Sequence, residues 1–509
     1  MSEADLFAAA FARLTAEQQA HPAVFPWPQT EDDYLYLHVT YHDEVQNTAL
    51  DAAETLFELG VQRGERVAWI GYNDVAQLIL LAACARLGCV LVPLNWRLSV
   101  EELRWIEEDA GFRVLMAPIG QERQGDGVYD HPYLDDFSAR RGAETGVLIG
   151  DPLSSVEMDP RMGILPPAPV LPAVSPDAPL LLCYTSGTTG RPKGAVLSQA
   201  AVTANARHAQ ALFGFTAADR VLTVLPMFHV GGLCIQTLPA LLAGATVLLH
   251  RRFDADWFFD ALARDKPTLT LLVPAIMQAL VAHPRWAAAD LSCLRAVGAG
   301  SSDVPLPLIQ AFHAKGVPVM QVYGATETGP IAIAQSAEEA WAAPGSIGRP
   351  VPGVEAKLSP AGEILVRGPN TLRHYWPATP ALDAEGWFAT GDVGRVDEDG
   401  RWWFTDRLKH VIISGGENIY PAEVERVLRE APGVLEGAVC GRPDARWGEV
   451  PVAVVVPGPG FQRDAVLAHF RGRIARFKQP HDVVAVPALP RTALGKVELT
   501  ALRKLAISG

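Results

Sequence analysis

Thr185-Ser186-Gly187-Thr188-Thr189-Gly190-Arg191-Pro192-Lys193-Gly194 is the stretch whose reading decides the fold. The apolar run Leu180 to Tyr184 leads straight into it and reads as a buried strand. Three glycines and four small hydroxylated residues in ten positions make a loop whose backbone N–H groups and hydroxyls can converge on an anion, with Lys193 adding a full charge. That composition describes a phosphate cradle. A Walker loop is excluded by spacing, because Gly187 would require Gly-Lys-Ser/Thr where the chain has Pro192-Lys193-Gly194.

Outward from this loop the chain alternates helix and strand signals. Val45, Leu50, Ala53, Leu56 and Leu59 recur at helical spacing up to Gly60, and Arg66 to Ile70 reads as a strand. Asn73 or Asp74 can cap a helix ending at Gly88, Val90 to Val92 gives a strand, and Ser99 with Glu102 makes a capping box for a helix ending at Gly111. A strand is expected around Val114, and then a long irregular connection from about Gly120 to Pro179, rich in Pro, Gly, Asp and Ser. A helix from Gln199, the run Arg220 to Pro226, a helix from Asp254, a strand over Thr268 to Val273, a helix from Pro274, a helix over Leu306 to Lys315 and a strand over Pro318 to Val322 continue the pattern. Such order implies parallel, helix-covered sheets. From Gly345 the texture changes to short strands punctuated by Gly and Pro, a β-rich part.

At 509 residues the chain exceeds one ordinary core and should divide. From Lys409 to the end it carries 14 Lys+Arg against 10 Asp+Glu, a basic terminal portion beside an acidic remainder, and this places a domain boundary there, 1–408 and 409–509. The net charge of −14 argues against nucleic acid as a partner. Six scattered cysteines without CxxC spacing read as reduced, buried thiols, which suggests the cytoplasm. The start MSEADLFAAAFARL lacks the pattern of a signal peptide, and Leu78 to Leu94, broken by Arg86 and Gly88, reads as a buried helix and strand, so no membrane-spanning segment is expected.

The loop resembles the signature of the adenylate-forming superfamily of acyl-CoA synthetases, luciferases and peptide-synthetase adenylation domains, and other stretches supply the matching parts. The resemblance implies that Thr185, Ser186, Gly187, Thr188, Thr189, Gly190 and Lys193 cradle the phosphates of ATP. In YGATETGP it implies that Tyr323 faces the adenine, with Gly324, Ala325 and Thr326 beside the nucleotide, and that Glu327 holds Mg²⁺. Gly298, Ala299 and Gly300 match the adenine-side wall, Asp392 of WFATGD and Arg407 match the ribose contacts, and Lys409 matches the hinge. Lys496 matches the catalytic lysine, whose ammonium lowers the repulsion between a carboxylate and the α-phosphate it attacks. His229 of MFHVGG stands where an amino-acid-activating domain has Asp, and the family places an aromatic there to line the carboxylate pocket. For coenzyme A, Ser414, Gly415 and Gly416 would border the pantetheine tunnel and Trp447 would stack on the CoA adenine. Gln479 and His481 stand where relatives often have basic residues for the CoA phosphate.

The implied fold is α/β: a large N-terminal domain of two helix-covered sheets and a β-barrel-like part, with a small mobile α+β C-terminal domain. The implied activity is ATP-dependent acyl-CoA synthesis from a hydrophobic carboxylic acid, fatty or aromatic, through acyl-AMP. An acyl-AMP ligase loading a carrier protein and a non-catalytic nucleotide-binding module stay open, as does a homodimer. Lys496→Ala is expected to slow adenylation by about 10²–10³-fold while leaving thioester formation from supplied acyl-AMP nearly intact. Equal losses in the two half-reactions, measured separately, would remove Lys496 from the first.

Overall fold

A computed structural model describes residues 22–26, 40–117, 132–141, 147–149, 173–185, 192–300, 304–414, 417–444, 447–471, 473–474, 476–491 and 497–508. Two compact units divide the chain, the first Met1–Ala356 with Val366–Phe388, the second Lys357–Leu365 with Ala389–Gly509.

In the first unit, the apolar run before the anion loop is the strand Pro179–Thr185. It pairs antiparallel with Lys193–Ser198, Thr185 opposite Lys193, so the loop is the tip of a β-hairpin. That second strand is not expected from the sequence, which runs from the loop to the helix Gln199–Phe213 with only six residues between Pro192 and Gln199. The sheet holding the hairpin has eight strands among the described residues, in the order Thr379–Pro380, His374–Tyr375, Lys193–Ser198, Pro179–Thr185, Val90–Leu94, Arg66–Ile70, Val114–Ala117, Val147–Ile149. From Pro179–Thr185 to Val147–Ile149 neighbours are parallel, and its core gathers Ile70, Val92, Leu115 and Phe112.

The expected irregular connection holds an element of its own. Pro132–Arg141 is a helix, and Val147–Ile149 adds a parallel strand beside Val114–Ala117. Tyr133, Leu134 and Phe137 lie at helical spacing and are buried, and the Tyr133 hydroxyl donates to Glu107 at 2.9 Å. Surrounding Pro, Gly and Asp masked that short apolar stripe. The rest of that connection lies outside the described residues.

A second sheet of nine strands runs Arg349–Pro350, Ile333–Ala334, Val319–Tyr323, Ala296–Gly300, Leu269–Leu272, Arg220–Thr223, Thr246–Leu249, Pro22–Pro26, Thr40–Tyr41 among the described residues. Its central strands are parallel and its core holds Leu222, Leu248, Leu272, Val297 and Phe312. Helix Val75–Leu87, buried on nearly every face, begins at Asp74, whose carboxylate accepts from Ala76 N at 2.9 Å, a cap worth about 1 kcal/mol. Asn73 does different work: its amide nitrogen donates to Leu225 O and His250 O at 2.9 and 3.0 Å, and its oxygen accepts from Met227 N at 2.7 Å. One buried side chain thus fastens the start of a helix of the first sheet to the ends of two strands of the second. No helix among the described residues is long and apolar enough to cross a membrane.

A third sheet orders Glu355–Leu358, Glu363–Arg367, Phe388–Val396 and Trp402–Arg407, and the division between the units falls within it. The second unit continues with a twisted sheet in the order Glu417–Ile419, Ile412–Ser414, Gly448–Pro457, Val434–Asp444, with Asp482–Ala485 parallel to Gly448–Pro457. Helices Pro421–Leu428 and Arg463–His469 cover one face, burying Ile412, Val424, Val455 and Phe470. Leu499–Ser508 covers the other, burying Cys440, Val452, Leu502 and Ala506. This alternation of inward residues is the period of two that a strand imposes.

Candidate active site

Three stretches far apart in the sequence meet beside the hairpin. Strand Val319–Tyr323 ends at Gly324, and Thr326–Thr328 follows as a single 3-10 turn carrying Glu327. Gly324 is required by close approach, since a Cβ there would lie 1.9 Å from Pro330 O. Ala325 N donates to Thr328 Oγ1 at 2.9 Å, and Leu372 N donates to Glu327 O at 2.9 Å, so the turn is held from within and from outside. Asn370, fully buried, donates its amide to Thr328 O and, at 2.7 Å, to Ile331 O.

Glu327 Oε1 accepts a 3.0 Å hydrogen bond from the Tyr375 hydroxyl. Tyr375 belongs to His374–Tyr375, paired antiparallel with the second strand of the hairpin, Tyr375 opposite Ala195. The Lys193 ammonium lies 5.5 Å from the centre of the Tyr375 ring. Burial first, then the Glu327 charge and its hydrogen bond, hold the Tyr375 phenol well above its ordinary value, so it stays a donor. Cys183, on the first hairpin strand, is pushed up to about 12 by burial and by the same Glu327 charge. The arrangement therefore sets one carboxylate and one exposed ammonium beside the loop that the sequence marks as an anion cradle.

Thr185 Oγ1 donates to Lys193 O at 3.4 Å across the base of the hairpin. Ser186, Gly187, Thr188, Thr189 and Gly190 lie outside the described residues, as do Gly415, Gly416 and Lys496; for Lys409 the backbone alone is described. Ala296–Gly300 lies parallel to Val319–Tyr323 with Gly300 opposite Val322, and a Cβ on Gly300 would come within 2.4 Å of Val322 O. Gly298, Ala299 and Gly300 thus form a wall of backbone next to Tyr323, which is half-buried at the end of its strand. His229, half-buried, precedes the turn Val230–Gly232 with its ring 4.5 Å from that of Phe228, and Arg97 lies 5.8 Å over the Phe228 ring. The chain then runs through a π-helix, Leu233–Thr237, which the sequence did not announce.

In the second unit Asp392 and Arg407 face each other across an antiparallel pair, and Arg407 Nε lies 2.7 Å from Asp392 Oδ1. The carboxylate is buried and the guanidinium largely exposed. Ser414 is buried at the end of its strand opposite Gly448. Trp447 is 42% exposed, an outward indole rather than a core one. Gln479 donates its amide to Phe470 O and Ile474 O, at 3.3 and 3.1 Å, and the Lys478 ammonium sits 2.7 Å from Glu423. Gln479 therefore braces the end of a helix.

Tyr375 and Asn370 are missed in the sequence, and Asn73 is read there only as a candidate helix cap. Each acts through a contact more than 35 positions away, for which a local pattern carries no signal.

The profile of the AMP-binding enzyme family matches residues 12–376, and that of the AMP-binding enzyme C-terminal domain matches 423–496. The chain belongs to the AMP-binding enzyme family. It is 47% identical over 472 residues to an indoleacetate–CoA ligase of Aromatoleum aromaticum, 89% of this chain and 90% of that one, and 39% identical to a feruloyl-CoA synthase of an Amycolatopsis species, 89% and 91%. The structure superimposes on ATP-bound MatB from Rhodopseudomonas palustris with a TM-score of 0.84 at 29% identity, covering 99% of both chains. On o-succinylbenzoate CoA synthetase from Bacillus subtilis with its acyl-adenylate the TM-score is 0.80 at 28% identity, covering 98% of each. This AMP-binding enzyme is an acid–thiol ligase, which makes acyl-CoA from a carboxylic acid through acyl-AMP.

Glu327→Gln keeps an acceptor for Tyr375 but removes the charge, and is expected to raise the Mg²⁺ concentration needed for adenylation while CoA affinity is unchanged. Tyr375→Phe, which leaves the charge and loosens its aim, is expected to cost about 2–13-fold in adenylation rate. Adenylation measured across a Mg²⁺ titration checks both; an Mg²⁺ dependence identical to wild type in Glu327→Gln would remove Glu327 from the site.

Proposed function

We propose that this synthetase takes an aromatic carboxylate, binds ATP with its phosphates at the hairpin loop, and uses Glu327 toward the Mg²⁺ that accompanies the nucleotide. The observation that carries the reading is the Lys193–Tyr375–Glu327 cluster at the base of the loop, one positive and one negative group pre-set where triphosphate would lie. Among the described residues no three His, Cys, Asp or Glu side chains come together to hold a metal ion. A single aimed carboxylate suits Mg²⁺, which is commonly held by one or two carboxylates and substrate phosphates. When bound, the ion offsets charge on the departing pyrophosphate.

This chain's own residues divide the remaining work. His229, with its ring beside that of Phe228, lines the entrance for the carboxylate, and Gly298, Ala299 and Gly300 take the adenine side. Asp392, a buried acceptor, takes the ribose hydroxyls with Arg407 beside it. Lys496 supplies the ammonium that lets two anions meet. For the second half-reaction, Ser414, Gly415 and Gly416 border the thiol's path, and the outward indole of Trp447 offers a stacking face for the CoA adenine. The aromatic preference is supported by relatives that act on indoleacetate and ferulate, at higher identity than the fatty-acid ligase of Mycobacterium tuberculosis at 34%. We place the enzyme in the cytoplasm, where its six free thiols would stay reduced.

Pyrophosphate release and CoA-thioester formation over a panel of acids test the substrate class. Aryl acetates and cinnamates are expected to exceed C8–C16 fatty acids in kcat/KM, and the reverse order would overturn the aromatic reading. We place the hinge at Lys409, in the 3-10 turn Leu408–His410 that separates strand Trp402–Arg407 from Ile412–Ser414. Proline fixes φ near about −65°, so Lys409→Pro is expected to leave adenylation working and to block thioester formation. Normal rates for both half-reactions in the folded variant would move the hinge elsewhere.

A further inference from the structure

We infer that Asp406 is a positioning residue for the two-step reaction: its carboxylate bridges the proposed hinge and holds one of the two arrangements that the half-reactions need, so that the bond it makes opens once in every turnover. This rests on the reading of Lys409 as the hinge. Asp406 is the second-last residue of strand Trp402–Arg407 and is buried. Its Oδ2 accepts from Ala422 N at 2.7 Å, across 16 positions of sequence, and its Oδ1 accepts from Arg407 N at 2.6 Å. Ala422 stands in the first turn of helix Pro421–Leu428, beyond Lys409.

The start of that helix takes its cap from outside. Tyr420, at the cap position, makes no side-chain hydrogen bond to it, and Pro421 has no N–H, so Ala422 offers the first peptide N–H of the helix. Serine, threonine, asparagine or aspartate ordinarily fills this role from the residue just before a helix. Here the acceptor comes from a strand that precedes the hinge turn, and it is a carboxylate set against the positive end of the helix dipole. His410, the last residue of the turn Leu408–His410, also faces it, with Nδ1 3.7 Å from Asp406 Oδ1. The contact closes a ring of chain that has the turn inside it.

What lies past the turn is one packed piece. Ile412–Ser414 pairs with Glu417–Ile419, and Ile412, Ile419, Val424 and Leu428 share a core, so the helix is fixed to the hairpin that leads into it. Asp406 is registered against Val393 on the other side of the turn. A domain-scale rotation at Lys409 therefore carries Ala422 away from Asp406. An N–H···O bond spans about 2.7–3.2 Å and is lost a few tenths of an ångström beyond, so the bond belongs to one arrangement and is broken in the other. It is then part of the equilibrium between them. The same tie explains why the second unit takes in Trp402–Arg407, ahead of Lys409.

Hydrogen exchange on the full-length wild type reads the bond directly. Protection of the Ala422 amide, resolved by fragmentation mass spectrometry, is expected to differ by about tenfold or more between enzyme saturated with ATP, a ligand of the first half-reaction, and enzyme saturated with AMP and CoA, ligands of the second. Equal protection overturns the inference. Asp406→Ala, assayed with the best acid of the panel above, is expected to raise the rate of one half-reaction and lower the other, changing their ratio by about tenfold. A carboxylate that served stability alone would lower both rates together or lower only the Tm, so a common factor or an unchanged ratio overturns the role. If the variant does not fold, the exchange measurement decides by itself. Lys409→Pro separates this inference from the hinge reading: where it blocks one half-reaction while Asp406→Ala keeps the wild-type ratio, the hinge stands and the role of Asp406 falls. Normal rates for Lys409→Pro in both half-reactions remove the hinge, and the role of Asp406 with it.

Discussion

The hydrogen bond from Tyr375 to Glu327 is the constraint on which the first unit's site depends. It spans 48 positions of sequence and joins the turn after one sheet's strand to a two-residue strand of the other sheet. Because Tyr375 is also registered against Ala195, the carboxylate is indexed to the hairpin rather than to its own loop alone. A turn that carried Glu327 without this tie would leave a charged side chain to sample its rotamers, and the proposed phosphate site needs its charges pre-set.

The same logic explains why so much of the framework is polar and buried. Asn73, Asn205 and Asn370 each satisfy backbone groups of another segment, with Asn205 donating to Cys234 O at 2.7 Å and accepting from Ile331 N at 3.0 Å. Loops that must approach a ligand closely cannot pair all their peptide groups in sheets, and an unpaired buried peptide group costs about 1–3 kcal/mol. Asparagine supplies a donor and an acceptor on one short, stiff side chain, and so stands in for the missing strand. Gln236 departs from this pattern further than they do, with neither amide atom partnered among the described residues.

Chemistry of this kind separates recognition of the nucleotide from recognition of the acid. In the proposed reading the first draws on charge and backbone, through the hairpin and Glu327. In the same reading the second draws on shape, through the turn after Phe228. An enzyme family can therefore keep the one while varying the other.

By itself the sequence determined the alternating α/β order, the caps at Ser99 and before Val75, and the family. These are local: a cap, a glycine-rich turn or an apolar period is complete within a dozen residues. Tertiary structure alone decided that Pro179–Thr185 and Lys193–Ser198 pair as a hairpin, that Tyr375 bonds Glu327, that Gln479 braces a helix and that Gln236 is buried with no partner among the described residues. The Pro132–Arg141 helix stands between the two cases, its stripe of Tyr133 and Phe137 present in the sequence but outweighed by loop-forming neighbours until Phe112 and Glu107 gave it something to pack and bond against. The difference is physical: propensity and capping act between residues close along the chain, whereas the partner that makes a buried polar atom structural or functional is chosen by packing across the sheets.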